Sequence, residues 1–140
     1  MSVTEQIRNY INSLAEPKRS EIENLHNQIL AIMPNSKLWY LDGKDDTGKV
    51  VSNPNIGYGQ HLIKYKNGET KEFYQVGISA NTTGISVYIM GIEDKKYLPE
   101  TYSKIIGKAS ITSYCIKFKT INDINIDILD RAILESSKNN

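Results

Sequence analysis

Cysteine is nearly missing from this chain. Cys115 is the single thiol among 140 residues, so no intrachain disulfide can form and a cysteine-rich zinc site is excluded. An excess of one charge is missing too. The 17 basic and 16 acidic side chains leave a formal charge of +1, which removes the usual electrostatic drive toward duplex nucleic acid or an anionic membrane surface. No run approaches the roughly 20 apolar residues that a membrane span requires. The first residues, with Glu5, Arg8 and Asn9, lack the apolar block of a secretory leader. A cytoplasmic location with no membrane partner is the resulting expectation. Catalytic signatures are also absent: there is no Gly-x-Ser-x-Gly elbow and no His-Glu-x-x-His helix, and Gly107-Lys108 lacks the glycine five residues earlier that a phosphate loop needs. No catalytic residue is assigned, and an enzyme is not expected.

What remains is 39% hydrophobic and 24% charged, the balance of one globular domain covering residues 1–140. A chain this long hides about 68% of its unfolded surface and needs no metal or disulfide staple. The 20 Ile and 13 Asn against 5 Ala are what A+T-rich codons produce, so their abundance carries no functional information.

Val3, Ile7, Tyr10, Ile11 and Leu14 recur at helical spacing, and Pro17 ends that helix and opens the next. The second helix buries Ile22, Leu25, Ile29 and Ile32 and stops at Pro34-Asn35-Ser36. Residues 37–41 are a short apolar run of strand length, and 42–49 are too polar to pack. Leu98-Pro99-Glu100 begins a short third helix with Gly107 as its stop. Thr112 to Lys119 alternates as a last strand, and Asn125 caps a final helix with Ile126, Leu129 and Ile133 inward. The order α-α-β-β-β-β-α-β-α predicts an α+β fold, a mostly antiparallel twisted sheet of about five strands with two N-terminal helices, one helix before the last strand and one C-terminal helix.

Two hairpins are the clearest signal. Asn67-Gly68 between residues 57–66 and 69–80 is the dipeptide of a type I′ turn. In that register Lys66 faces Glu69, Leu62 faces Phe73, Gln60 faces Gln75, and His61 faces Tyr74 on the other side. Asn81-Thr82-Thr83-Gly84 makes the second reversal, placing Ile85, Val87 and Ile89 with Val76, Ile78 and Ala80 on one apolar face and Gly77 opposite Tyr88. The same pattern gathers Tyr58, Gln60, Leu62, Phe73, Gln75, Tyr88 and Met90 on the second face. Aromatic walls with a few amides suit a small-molecule pocket, so Tyr58, Gln60, His61, Phe73, Gln75 and Tyr88 are the candidate ligand-binding residues. The partner is an unidentified small molecule or protein.

Outside that face, His26 lies at the border of the second helix's apolar stripe and reads as structural. Cys115 reads as buried and inert. Lysines 64, 66, 71, 117 and 119 fall on strands or their ends and read as protection against edge-to-edge aggregation rather than a single-strand nucleic-acid platform; no nucleic-acid partner is expected.

Several strings carry a family resemblance. Gly57-Tyr58-Gly59, Lys64-Tyr65, Asn67-Gly68, Val76-Gly77-Ile78 and Val87-Tyr88-Ile89-Met90-Gly91, followed by Ile106-Gly107-Lys108 and Cys115-Ile116-Lys117-Phe118-Lys119, resemble the YdhG-like family, a domain of unknown function. The resemblance runs from about residue 5 to the end of the last helix. It departs between Gly107-Lys108 and the cysteine, where this chain has Ser110, Thr112 and Ser113 in place of a further glycine and two lysines. It implies a YdhG-like α+β fold without a resident cofactor and, because some members are described as frataxin-like iron chaperones, the alternative of iron delivery. The hard oxygen ligands for that role would be Asp42, Asp45 and Asp46, with Glu93 and Asp94 as a second group and His61 as an added donor.

Overall fold

The computed structural model describes residues 1–138. Helix α1 (Val3–Ser13) starts where the Ser2 hydroxyl accepts the Glu5 N–H at 3.1 Å, and it buries Ile7, Tyr10 and Ile11. Helix α2 (Lys18–Ile32) follows Pro17 and buries Ile22, Leu25 and Ile29, the stripe expected from 3.6-residue spacing. Strands β1 (Leu38–Leu41), β2 (Asn55–Tyr58), β3 (His61–Lys64), β4 (Thr70–Phe73), β5 (Val76–Asn81) and β6 (Gly84–Ile89) come next. Helix α3 (Tyr97–Tyr102), strands β7 (Ser110–Ile111) and β8 (Cys115–Phe118), and helix α4 (Ile126–Lys138) complete the chain. The Asn125 side chain accepts the Asp127 N–H at 3.1 Å and caps α4.

The expected α+β class holds, with a correction to the strand count. A six-stranded antiparallel sheet runs β1-β2-β5-β6-β8-β7, and β3 with β4 forms a separate two-stranded arm. The long first hairpin is divided because the chain bends at Gly59, whose φ is +80°. The strand expected over 112–119 is shortened to β8, and a further short strand, β7, precedes it and pairs with it.

The first hairpin's register is also corrected. Only Gly68 has a positive φ, and Asn67 does not. The Tyr65 carbonyl accepts the Gly68 N–H at 3.0 Å while the Tyr65 N–H donates to Glu69 at 2.9 Å. This is a three-residue loop, a type I turn followed by a left-handed glycine bulge, rather than a two-residue type I′ turn. One extra loop residue shifts every pair, so His61 faces Phe73 and Leu62 faces Glu72, and a one-residue shift exchanges the faces. The second turn is as expected: Ala80 faces Ile85, Ile78 faces Val87 and Gly77 faces Tyr88.

Helices cover one face of the sheet, where Ile56, Tyr58, Val76, Ile78, Ile85, Val87, Ile89 and Ile116 are fully buried. α3 and α4 are tied by the Tyr102 hydroxyl, which donates to Glu135 at 2.7 Å. α2 is tied to the second turn by Lys18, whose ammonium donates to the Asn81 carbonyl.

Candidate functional site

The β2 alternation that sends Ile56 and Tyr58 toward the helices places the Tyr58 ring beneath α2. Tyr58 is fully buried, and its hydroxyl lies 2.6 Å from His26 Nδ1. Burial pushes the phenol's pKa well above its ordinary value and lowers that of the half-buried imidazole, with Glu23 opposing the second shift. Both groups are therefore neutral at neutral pH. A buried hydroxyl must place its proton on an acceptor, and His26 Nδ1 is the one available, so Tyr58 donates and His26 carries its own proton on Nε2.

Above this pair lies a cleft of about 390 Å³ between α1 and α2. Ile7, Ile11, Leu30 and Leu38 give it apolar walls, Arg8 and Glu23 bring opposite charges from facing helices, and Asn12 and Asn27 add amides. The only ion pair among the described residues is Lys37 with Glu72, so Arg8 and Glu23 line the cleft without pairing to each other. A concave, partly apolar site with a few convergent polar groups is the ordinary form of a small-ligand site.

The candidate residues from the sequence do not converge. Tyr58 is buried behind this cleft and reaches it only through His26, which lines it. Gln75 lies under α4, where its amide donates to the Ser136 carbonyl at 3.3 Å. Gln60 is exposed and donates to Glu72 at 3.0 Å, while His61 and Gln60 line a groove beside β3. Phe73 stacks on Tyr74 at 4.1 Å between ring centroids and meets Trp39 at 6.1 Å. Tyr88 stands on the opposite sheet face from Tyr58, stacked with Tyr114 at 6.5 Å. The single recognition face over Tyr58, Gln60, Phe73, Gln75 and Tyr88 is thus a correction, caused by the register shift and by the bend at Gly59.

On the helix-free face, Trp39, Gly57, Gly77, Tyr88 and Cys115 form one row across five strands. The Tyr74 ring lies over both glycines: a Cβ at Gly57 would meet it at 2.5 Å and one at Gly77 at 2.6 Å. The space that Gly77 leaves beside Tyr88 is therefore taken. The Tyr74 hydroxyl donates to Asn55 at 2.8 Å. Cys115 is half-buried rather than fully buried, and burial raises its thiol pKa, the reverse of what a nucleophile needs.

Three of the five carboxylates suggested as iron ligands accept hydrogen bonds within their own loops. Asp42 accepts the Lys44 N–H, and Asp45 accepts from the Thr47 N–H and hydroxyl and from the Lys49 N–H, bonds that hold its pKa below the usual value. Asp94 accepts the Lys96 N–H. Among the described residues no three His, Cys, Asp or Glu side chains are placed to hold a metal ion together, and no helix is long and apolar enough to cross a membrane.

Arg8, Glu23 and Asn27 were missed by sequence reasoning because a helix face shows only its apolar stripe, whereas a cleft depends on how two helices meet. The one available signal was His26 at the edge of that stripe. The chain matches no family model, no curated protein and no solved structure.

Proposed function

We propose that this chain is a non-catalytic binding domain whose cleft between α1 and α2 takes a small dipolar ligand with an apolar body. The observation that carries this reading is the neutral His26, pinned through Nδ1 by the buried Tyr58 hydroxyl at the base of a cleft that also holds unpaired Arg8 and Glu23. Arg8 and the His26 Nε2–H suit an anionic end, Glu23 suits a cationic end, and Ile7, Ile11, Leu30 and Leu38 suit a short apolar group. A free amino acid with an aliphatic side chain is the simplest molecule of that description. The reading accords with the YdhG-like resemblance, most of whose members have no assigned activity.

The test uses L-leucine, N-acetyl-leucine and leucinamide as probes, followed through the ring signals of His26 by nuclear magnetic resonance. L-leucine is expected to move the His26 signals and to bind more tightly than either blocked form. Arg8→Ala and Glu23→Gln should each weaken it about tenfold or more, roughly 1.4 kcal/mol, without lowering the unfolding temperature. If His26 responds to none of the probes, nor to a broader metabolite set at millimolar concentration, the cleft is not a ligand site.

A further inference from the structure

The arm of β3 and β4 has an open edge whose backbone groups can be assigned one by one. The Tyr65 to Glu69 hydrogen bond closes the loop, and antiparallel pairs alternate between bonded and non-bonded. Ile63 with Lys71 and His61 with Phe73 are therefore the bonded pairs, and Leu62 with Glu72 and Lys64 with Thr70 the non-bonded ones. The N–H and C=O groups of Leu62 and Lys64 point away from β4. No strand covers them, since the sheet containing β3 has only these two strands.

A groove of about 630 Å³ runs beside this edge. Five consecutive residues, Gln60 through Lys64, line it. Successive side chains of a strand point to opposite faces, so a groove touched by all five follows the strand edge rather than one face. Gly91, Ile92 and Glu93 form the far wall. Leu62 is 57% exposed and Tyr65 48% exposed, which leaves apolar surface at the edge. Lys37 pairs with Glu72 from outside the arm, so among the arm's charged residues Lys64, Lys66 and Lys71 outnumber the remaining Glu69, while Lys64 and Glu93 line the groove itself.

We propose that the β3 edge is a docking site for one extended peptide segment of a partner protein, added as a third strand, with apolar side chains alternating with acidic ones. Unpaired strand groups select an extended backbone, because only a strand returns the two donors and two acceptors of Leu62 and Lys64 in register. The lysine excess of the arm selects acidic side chains. This site is separate from the cleft between α1 and α2 and does not rest on it.

The experiment uses the full chain with acetyl-Glu-Val-Glu-Val-Glu-Val-amide, its lysine analogue, and a version N-methylated along one backbone edge. Amide hydrogen exchange of the free protein should show Leu62 and Lys64 exchanging fast and Ile63 protected. The acidic peptide should protect Leu62 and Lys64, and the lysine analogue should bind about tenfold or more weakly, roughly 1.4 kcal/mol. The N-methylated peptide should not bind. Leu62→Pro, which deletes only an outward N–H, should abolish protection at Lys64 while Ile63 stays protected. Absence of peptide-induced protection, equal binding of the N-methylated peptide, or protection that rises with protein concentration without peptide would each overturn the proposal, the last by assigning the edge to a second copy.

Discussion

The body and the arm are two stretches of one hairpin with opposite surroundings. Ile56 faces Ile78 in the body, and both are fully buried. Ile63 faces Lys71 in the arm, and Leu62 two pairs beyond the bend at Gly59 is mostly exposed. The residue pattern barely changes across that bend, and His61-Leu62-Ile63 is as apolar as much of β2. What changes is the cover. α2 packs on β5, and α4 reaches Gln75, the residue next to the last pair before the bend. Strand propensity therefore decides that both stretches are strands, while the reach of the helices decides which becomes core and which becomes available surface.

The largest expected effect tests that division directly. Ile78→Ala removes a fully buried side chain from the middle of the covered face and should lower stability by about 3–4 kcal/mol in urea unfolding. Leu62→Ala should change it by less than about 0.5 kcal/mol. If the two substitutions destabilise alike, the arm is part of the core and the comparison fails.

The helix-free face of the body sharpens the contrast, because it is filled from within. Gly77→Ala would bring a Cβ to 2.6 Å from the Tyr74 ring and should destabilise by about 1–3 kcal/mol through overpacking. The same substitution in a Tyr74→Ala background should be nearly neutral, giving a coupling of at least about 0.5 kcal/mol in a double-mutant cycle. Additive effects would mean that Tyr74 does not occupy the trough over Gly57 and Gly77.

How much of this was legible in the sequence follows from the range of each interaction. The stripes of α1 and α2, apart from exposed Val3 and half-buried Ile32 at their ends, the Asn125 cap and the pairing of Gly77 with Tyr88 rest on local periodicity or a short turn, and they read correctly. The arm register did not, because Asn-Gly serves both a two-residue turn and the bulge of a three-residue loop, and the choice depends on bonds made by Tyr65 and Glu69. Gly57 and Gly77 face each other only in the corrected register, and nothing local names Tyr74 as the ring across them. The cleft was illegible for a stronger reason: Arg8 and Glu23 meet only through the angle at which two helices pack.

The body also holds the molecule's expected pH response. Burial lowers the folded-state pKa of His26, so between its folded and unfolded values the unfolded chain binds more protons, and stability rises with pH there. The contribution is complete above the unfolded histidine value of about 6.5 and is lost as pH falls below it. Half-exposure of the ring limits it to a fraction of a kcal/mol. His26→Gln should flatten the urea midpoint between weakly acidic and neutral pH, and a histidine titration should place the His26 value below the ordinary one. A raised value would mean a charged ring with a proton on Nδ1, which could not accept from the Tyr58 hydroxyl.

The smallest effect belongs to the arm and is the finest test of its register. Proline lacks an N–H and is tolerated on a strand only where that N–H faces outward. At Leu62 the missing proton is an unused one, and the global urea midpoint should move by no more than about 0.5 kcal/mol, with Ile63 still protected from exchange. At Ile63 the missing proton is one that bonds Lys71, so Ile63→Pro should expose the amides of β3 and β4 to exchange while those of β5 and β6 keep their protection. Local opening of this kind separates an arm from a body. Had the Asn-Gly turn been the two-residue form, the outward and inward positions would exchange, and Leu62→Pro would be the variant that opens the arm.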